Sequence, residues 1–504
     1  MKITKRTAIG ITLIALIGLT SWGLAGALTE QQYIDAGKAE YHRGNYDAAI
    51  YLFTKGLELN PDNQYLYNDR GLCYLEKGEI NKAITEFSKA IELDADFAEA
   101  YFNRGLAYFR TGSKYTPEGR ASLEKAISDY SKAVEIKPEY AEAYYHRGIA
   151  RIEFIHFYDS PFSEEENETF YEALRDFNKT LELDGTFYIS YAGMGNAYDR
   201  YGKFHEAVEW YNKSLENEYE ILQKWGTKAL AEIYYSRGRA YQRVENPQAI
   251  QDYEKSLEYD PNLDTALGHL ASIYSCIGKL EDALELYNRS VKIKESQPFL
   301  GLWDFHTWDG RGVCYYKLGE YDKAIQDLNK AIEVGRRPIL PAYLYLGKTY
   351  LAMGDDSKAE EYFNKTIEIC TGAIGAIEKG EHVWMYPSEV YALHNIRGLA
   401  YIELGDYDKA ISDFEKVIEL GPEEFSRGHT YYPVEGRKNI AIVYSKMGDK
   451  EKARAFYQEA LNIAEERGLQ FTKKEIEELL KDCLLYTSDA ADELDGVDLG
   501  GRRI

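Results

Sequence analysis

A 34-residue repeat is the feature that most restricts the fold of this chain. Gly37, Gly71 and Gly105 are spaced by 34 residues, and the first two are each followed by an alanine twelve residues later and a phenylalanine four residues after that. These residues are Ala49 with Phe53 and Ala83 with Phe87. A unit this short cannot bury its own apolar face, so neighbouring copies must stack on one another. The spacing therefore predicts one long solenoid and not several globular domains.

Eleven copies of the repeat lie between about residue 30 and residue 466. Two of the clearest are "GLCYLEKGEINKAITEFSKAIELD" (71–94) and "GLAYIELGDYDKAISDFEKVIELGP" (398–422). Copies one to eleven are anchored, in order, at Gly37, Gly71, Gly105, Gly148, Gly195, Gly238, Ala271, Gly312, Gly347, Gly398 and Ala441. A second glycine in seven copies is predicted to end the first helix at the turn. It is Gly78, Gly202, Gly278, Gly319, Gly354, Gly405 or Gly448.

The Gly-x-x-Tyr, Ala-x-x-x-Phe and closing proline spacing, seen with Pro61 in the first copy, resembles the tetratricopeptide repeat (TPR) family. This resemblance implies an all-α, right-handed superhelical solenoid of about eleven helix-turn-helix repeats over residues 30–466. Residues 467–482 then form a C-terminal capping helix. The resemblance also implies a protein-protein interaction scaffold that binds partner segments in its concave groove, with other proteins or peptides as partners.

Composition and motifs argue against several other functions. The formal net charge is −24 and no basic run is present, so a nucleic-acid partner is not expected. The nine histidines form neither a metal motif nor a catalytic triad, and no phosphate-binding glycine motif occurs. We therefore expect no metal, no cofactor and no catalytic residue, and the chain is predicted not to be an enzyme. His42, His146 and His269, on first helices, are predicted to face solvent.

Residues 1–28 differ from the rest of the chain. Lys2, Lys5 and Arg6 precede an uncharged apolar stretch over residues 7–28, which contains the small-residue run 25–27. This order is typical of a signal peptide, and the stretch is also long enough to be a retained transmembrane helix. Both alternatives stay open, and membrane anchoring is one of them. Under either, the solenoid is predicted to be extracytoplasmic, membrane-anchored or secreted.

The last segment does not continue the repeat. Residues 483–504 read "CLLYTSDAADELDGVDLGGRRI", which has no amphipathic period and resembles the translation of a sequencing-library adapter. We interpret it as a probable non-native, adapter-derived tail. A further domain beyond residue 482 then stays open.

Six copies carry an arginine immediately before the anchor glycine. Those six copies also have a carboxylate three residues after the second-helix alanine, whereas the other five have apolar residues at both places. Because charge accompanies charge, we predict an ion pair between the two helices of each of these copies, with a structural role. The pairs are Arg70 with Glu86, Arg104 with Asp129, Arg147 with Asp176, Arg237 with Asp252, Arg311 with Asp327, and Arg397 with Asp413.

A second stripe of side chains on the first helices is predicted to line a partner-binding groove. Its spacing of i, i+4 and i+7 places each set on one helix face. In copies two to four the stripe is apolar and consists of Leu72, Leu75, Phe102, Leu106, Phe109, Tyr145, Ile149 and Ile152. In copies five and six it is polar and basic, with Asn196, Arg200, Arg239 and Arg243. Such a groove suits a segment with apolar anchors at one end and acidic residues at the other.

The sequence thus predicts an exported, non-catalytic scaffold for protein-protein interaction. Two alternatives remain open. The solenoid is the substrate-recruiting arm of an enzyme whose catalytic domain lies beyond the artefactual C-terminus, or it is a structural component of the cell envelope.

Overall fold

The computed structural model describes residues 28–113, 116–155, 163–296, 305–335, 337–381, 390–420 and 432–481. Within these ranges every regular element is an α-helix, and successive helices form the eleven hairpins that the repeat spacing predicts. The chain divides into two compact units between residues 197 and 198. The fold is therefore all-α and built from paired helices.

The first unit contains four complete hairpins, which are copies one to four. The beginning of α9, Ile189–Arg200, also belongs to it. The hairpins are α1 (Glu30–His42) with α2 (Tyr46–Leu59), α3 (Gln64–Glu76) with α4 (Ile80–Leu93), α5 (Ala98–Thr111) with α6 (Pro117–Ile136), and α7 (Ala141–Phe154) with α8 (Glu164–Leu183).

The second unit contains the rest of copy five and copies six to eleven. Its helices are α10 (Phe204–Leu215), α11 (Glu218–Arg243), α12 (Gln248–Tyr259), α13 (Asp264–Cys276), α14 (Leu280–Glu295), α15 (Phe305–Lys317), α16 (Tyr321–Val334), α17 (Leu340–Ala352), α18 (Asp356–Glu378), α19 (Val390–Leu404), α20 (Tyr407–Leu420), α21 (Tyr432–Met447) and α22 (Lys450–Glu466). A last helix, α23, covers residues 470–481.

The anchor glycine and the second-helix aromatic residue explain why each hairpin closes tightly. A Cβ atom added at Gly71 would lie 2.6 Å from Cε1 of Phe87, and one added at Gly398 would lie 2.7 Å from Cε1 of Phe414. Both rings are fully buried, and each burial stabilises the fold by about 1.5–3 kcal/mol. Only glycine lets the ring of the second helix rest on the backbone of the first.

In most copies the turn between the two helices contains a left-handed residue. The seven predicted turn glycines all have φ between 75° and 81°. Glycine adopts this conformation without the steric cost that a Cβ atom brings. Copy six departs from this rule, because Glu245 stands at its turn with φ 50° and is the only non-glycine with positive φ among the described residues.

Two of the sequence predictions fall largely or wholly outside the described residues. The apolar segment 7–28 is described only at Leu28, and the tail 483–504 not at all. Of the helices that the structure describes, none combines the length and the apolar character that crossing a bilayer requires. The signal, the anchor and the adapter origin of the tail thus stay predictions.

Candidate protein-binding surfaces

All six arginine–carboxylate pairs are present between the helices of their hairpins. In each pair the arginine donates through Nε and Nη2 to both oxygens of one carboxylate, at 2.6–3.0 Å. This two-pronged geometry is the strongest that a guanidinium and a carboxylate can form. The pair therefore fixes the position of the first helix against the second.

Each of these arginines also reaches the preceding copy, a contact that the sequence analysis missed. Its Nη1 atom donates, over 2.7–3.2 Å, to a hydroxyl or amide oxygen on the second helix of that copy. The acceptors are Thr54, Ser88, Ser131, Asn212, Asn288 and Thr371. One arginine thus joins three helices, which leaves it little capacity to bind a partner. In the sequence, this contact could have been predicted from the hydroxyl or amide residue that recurs on the second helix of each preceding copy.

Burial sets the electrostatics of these pairs. The side chain of Asp129 is 8% exposed, and its burial raises the pKa of the carboxyl even though Arg104 pulls it down. The hydrogen bond to Asp129 in turn raises the pKa of Arg104. The charged state of Asp129 consequently depends on its arginine, as expected for a desolvated ion pair.

Copies without the arginine bring two apolar residues together at the same place. Leu270 and Leu286 in copy seven share one core cluster and are 3% and 8% exposed. In copy eleven, Ile440 and Phe456 also share a cluster. An apolar pair and an ion pair are therefore alternative ways to fill one position between the helices of a hairpin.

The predicted apolar groove is partly wrong, because two of its residues belong to the core. Leu75 is 1% exposed and packs with Phe87 and Ala107, and Ile152 is 3% exposed. They are buried because the stripe of one first helix also faces the first helix of the next copy. Six apolar residues of the stripe stay half-buried: Leu72, Phe102, Leu106, Phe109, Tyr145 and Ile149.

Aromatic rings connect these half-buried residues across copies three and four. The ring of Phe102 lies 5.0 Å from that of Tyr140 and 5.4 Å from that of His146, and the ring of Tyr145 lies 5.3 Å from His146 and 5.2 Å from Phe187. Contacts of this kind add to the area buried. The first unit thus carries a series of contacting aromatic rings that are half-buried, except for that of Phe187, which is 4% exposed.

The prediction that His146 and His269 face solvent is wrong. His146 lies among Phe102, Tyr130 and Tyr145, and desolvation lowers its pKa to about 4. His269 stacks on Tyr253, and burial lowers its pKa to about 3. Both imidazoles are therefore neutral packing groups at neutral pH. Both lie two residues before the anchor residue of their copy, a position that gave the sequence analysis no sign of this.

The basic end of the predicted groove is less basic than expected. Arg239 forms an ion pair with Asp199, whose side chain has no exposed surface, and it also lies over the ring of Tyr235. Asn196, Arg200 and Arg243 are half-buried on their first helices. Because Arg239 neutralises the buried carboxylate of Asp199, its charge stabilises the fold and is not available to an acidic partner.

The described residues contain no candidate metal centre. Among them, no group of three or more histidine, cysteine, aspartate or glutamate side chains could hold a metal ion. Burial raises the pKa of the Cys73 and Cys370 thiols to about 12, so these cysteines are unreactive packing groups. Asp309 is a buried carboxyl group whose pKa is raised well above its usual value. Its Oδ1 atom is buried with no hydrogen-bond partner among the described residues, and burial raises its pKa to about 7.

These hairpins and surfaces define a class of protein, the α-helical solenoid, which presents a long surface made from equivalent faces of successive repeats. The particular family is the tetratricopeptide repeat family, to which this chain belongs. Models described as TPR repeat match residues 37–78, 71–112 and 122–152, and models described as tetratricopeptide repeat match 188–219, 231–263, 266–298, 304–372 and 389–466.

Individual relatives match only over part of their lengths. The chain is 27% identical over 178 residues to the BBSome complex member BBS4 of Bos taurus, covering 35% of this chain and 29% of that protein. It is 22% identical over 308 residues to a TPR repeat-containing protein of Methanocaldococcus jannaschii, covering 61% and 42%. The chain therefore spans less than half the length of these curated relatives.

Two further similarities concern fold and catalysis. The crystal structure of yeast Tom70 aligns over 93% of this chain and 99% of that one, with 14% identity and a TM-score of 0.38. The human protein O-mannosyl-transferase TMTC1 is 23% identical over 238 residues, which are 47% of this chain and 23% of that protein. One relative is thus named as an enzyme, although the matched part covers less than a quarter of it.

Proposed function

We propose that this protein is an exported, non-catalytic scaffold that binds a partner protein through the half-buried apolar strip of its first unit. The observation on which this rests is the strip itself. Six apolar side chains on three successive first helices stay half-buried, whereas the recurring arginines beside them are engaged in internal contacts. Continuous apolar surface of this kind is typical of an interaction site.

The strip suits an amphipathic or extended segment with apolar anchors. Phe102 and Tyr145 are held by neighbouring rings, so they offer rigid, pre-oriented contact area to a partner. Between them, Leu106 and Ile149 lie on adjacent first helices at equivalent positions. The partner is expected to place apolar side chains over these residues. We do not expect it to be a nucleic acid, given the net charge of −24.

Photocrosslinking tests this proposal directly. A photoreactive phenylalanine analogue placed at Leu106 or Ile149 should capture a defined protein from native envelope extract. The matched control is the same analogue at Tyr51 or Tyr171, which lie on second helices and are 53% and 54% exposed. Capture at the control positions only, or equal capture at all four, would place the binding surface elsewhere.

A variant test complements the crosslinking. Phe102→Ser with Tyr145→Ser should abolish binding, and Tyr51→Ser with Tyr171→Ser should not. Circular dichroism must show that the first variant keeps its helicity, because Phe102 also packs against Tyr130. A folded Phe102→Ser/Tyr145→Ser protein that binds every partner normally would contradict the proposal.

Export is a separate part of the proposal and rests on residues 1–28. Fusing these residues to a reporter enzyme that is active only after forming disulfides outside the cytoplasm should give activity. The same fusion with Lys2, Lys5 and Arg6 replaced by glutamate should give little. An inactive native fusion would place the solenoid in the cytoplasm.

A second candidate function is the recruiting arm of an enzyme. The similarity to the human transferase favours it, since the shared region covers only 23% of that protein. Sequencing the gene beyond the codon for residue 482 distinguishes this candidate, because it requires a catalytic domain there.

A further inference from the structure

The last helix, α23, is held by two different parts of the second unit. One face packs on the final hairpin, where Leu469 and Ile476 are 2% and 0% exposed and join the core of α21 and α22. The other face carries Phe471 and Thr472 and contacts copies six and seven, more than 200 residues earlier in the chain. A helix that only capped the final repeat would need the first face alone.

The contact to copy six is made by Glu245. Its carboxylate accepts the backbone N–H of Thr472 at 2.9 Å and the Thr472 hydroxyl at 2.7 Å. The first helical hydrogen bond of α23 runs from Lys473 to Leu469, so the N–H of Thr472 has no acceptor within its own helix. Leu469 has no side-chain acceptor of its own, and Glu245 takes that role with a negative charge at the positive end of the helix.

Two further contacts continue along the same helix. The ring of Phe471 packs against the core cluster of copies six to eight, which includes Tyr253 and Leu267. One turn beyond Thr472, Glu475 accepts from Nζ of Lys438 at 3.0 Å, and the Lys438 side chain is only 5% exposed. The helix is therefore contacted at three points, by an apolar cluster, by the carboxylate of Glu245 and by the buried ammonium group of Lys438, which also pairs with Glu435 at 2.8 Å.

Glu245 is the residue that breaks the turn rule of this protein. Eight other copies place glycine at the left-handed turn position, and copy six accepts a strained glutamate there. Backbone strain that persists in one copy only is expected where the side chain has a function. The contact with Thr472 provides that function.

We propose that Glu245, Lys438 and the apolar cluster of copies six to eight form a docking site for an amphipathic helix, which α23 occupies in cis. The inference rests on the proposed function, since it assumes that surfaces of the solenoid bind segments of other proteins. The ligand is a helix that begins with an aromatic and a hydroxyl residue and has a carboxylate three residues after the hydroxyl. A partner helix with this pattern binds the second unit only when α23 leaves the site.

The variant Glu245→Gly removes the contact with α23 without disturbing the turn of copy six. Glycine suits the left-handed turn, so the hairpin of copy six should fold at least as well as before. Loss of two hydrogen bonds to a charged group should speed amide exchange in residues 470–481 by about tenfold or more. The matched control is Glu478→Ala, an exposed position on the same helix, which should leave this exchange unchanged. Unchanged exchange in Glu245→Gly would overturn the proposal.

A peptide of residues 467–482 tests binding in trans. The full chain should bind it weakly, because an occupied site reduces the apparent affinity by the fraction that is open. The full-chain variant Phe471→Ala/Thr472→Val keeps Leu469 and Ile476 and should bind the labelled peptide at least about tenfold more tightly by fluorescence anisotropy. Adding Glu245→Gly to that variant should remove the gain.

Two outcomes contradict the docking site. Either the Phe471→Ala/Thr472→Val variant binds the peptide no better than the unaltered chain, or a peptide with the same two substitutions binds as well as the native one. Both assays use this chain and its own peptide alone. Their failure therefore leaves the apolar strip of the first unit, and the proposed function, untouched.

Discussion

Removing one partner of a buried ion pair should cost far more stability than removing both, and Arg104 with Asp129 offers the clearest test. Their side chains are 20% and 8% exposed and are joined by two hydrogen bonds of 2.8 Å. Arg104→Leu leaves a desolvated carboxylate whose pKa burial already raises. The expected loss in free energy of unfolding is about 3–5 kcal/mol.

The double variant Arg104→Leu/Asp129→Leu recreates the arrangement of copy seven, where Leu270 and Leu286 share a core cluster. No charge is stranded, so the expected loss is within about 1.5 kcal/mol of the unaltered protein. The double variant should therefore be more stable than the single variant by about 1.5 kcal/mol or more.

Urea titration followed by circular dichroism measures the midpoints. Amide exchange in α5 and α6 reports the local change, which is needed because repeat arrays do not always unfold in one step. Lys132→Leu is the matched control, since Lys132 lies on the same helix in an exposed pair with Glu135 and should show no measurable shift. A double variant as unstable as Arg104→Leu would refute the reasoning.

Three further predictions follow from the structure and the sequence. Gly398→Ala should lower the free energy of unfolding by about 1–3 kcal/mol, because its Cβ would lie 2.7 Å from the ring of Phe414. Gly268→Ala should raise it by about 0.4–1 kcal/mol, because its Cβ would have no atom within 4 Å. Equal shifts in melting temperature for the two variants would contradict this. Burial raises the pKa of Asp309 to about 7, so the stability that its neutral form contributes is complete below pH about 4 and is lost as pH rises to about 7. Asp309→Asn should remove that loss, which is at most about 4 kcal/mol, and parallel urea profiles of the two proteins from pH 4 to 8 would argue against it. Deleting residues 483–504 should leave helicity and melting temperature unchanged if the adapter interpretation is right, and a marked drop in melting temperature would count against it.

The helices and their pairing could be predicted because the same residue spacing occurs in most of the eleven copies. The spacing from Gly71 to Ala83 and Phe87 recurs with the same physical meaning in most copies, namely a ring resting on a backbone without a Cβ atom. Comparing copies also revealed which arginine faces which carboxylate, since both change together between ionic and apolar copies.

The surfaces were harder to predict because one helix face can have two neighbours. Leu75 and Ile152 occupy the same repeat position as Phe109, yet they pack into the core whereas Phe109 stays half-buried. Periodicity gives the direction in which a side chain points and not what covers it. The contact from Glu245 to Thr472 spans 227 residues, and no local pattern determines it. The lack of a turn glycine in copy six was the only sign of this contact in the sequence.

The arginine that reaches into the preceding copy has a consequence for cooperativity. In the first unit, three consecutive copies carry it, so copies one to four are linked in an unbroken series. In the second unit, copies seven, nine and eleven have Leu270, Leu346 and Ile440 instead.

The links in the second unit therefore alternate. They join copy five to six, seven to eight and nine to ten, through Arg237, Arg311 and Arg397. A chain of repeats opens where its nearest-neighbour coupling is weakest. Partial unfolding of the second unit should thus proceed in blocks of two copies, each about 70 residues long, whereas the first unit should open as one block.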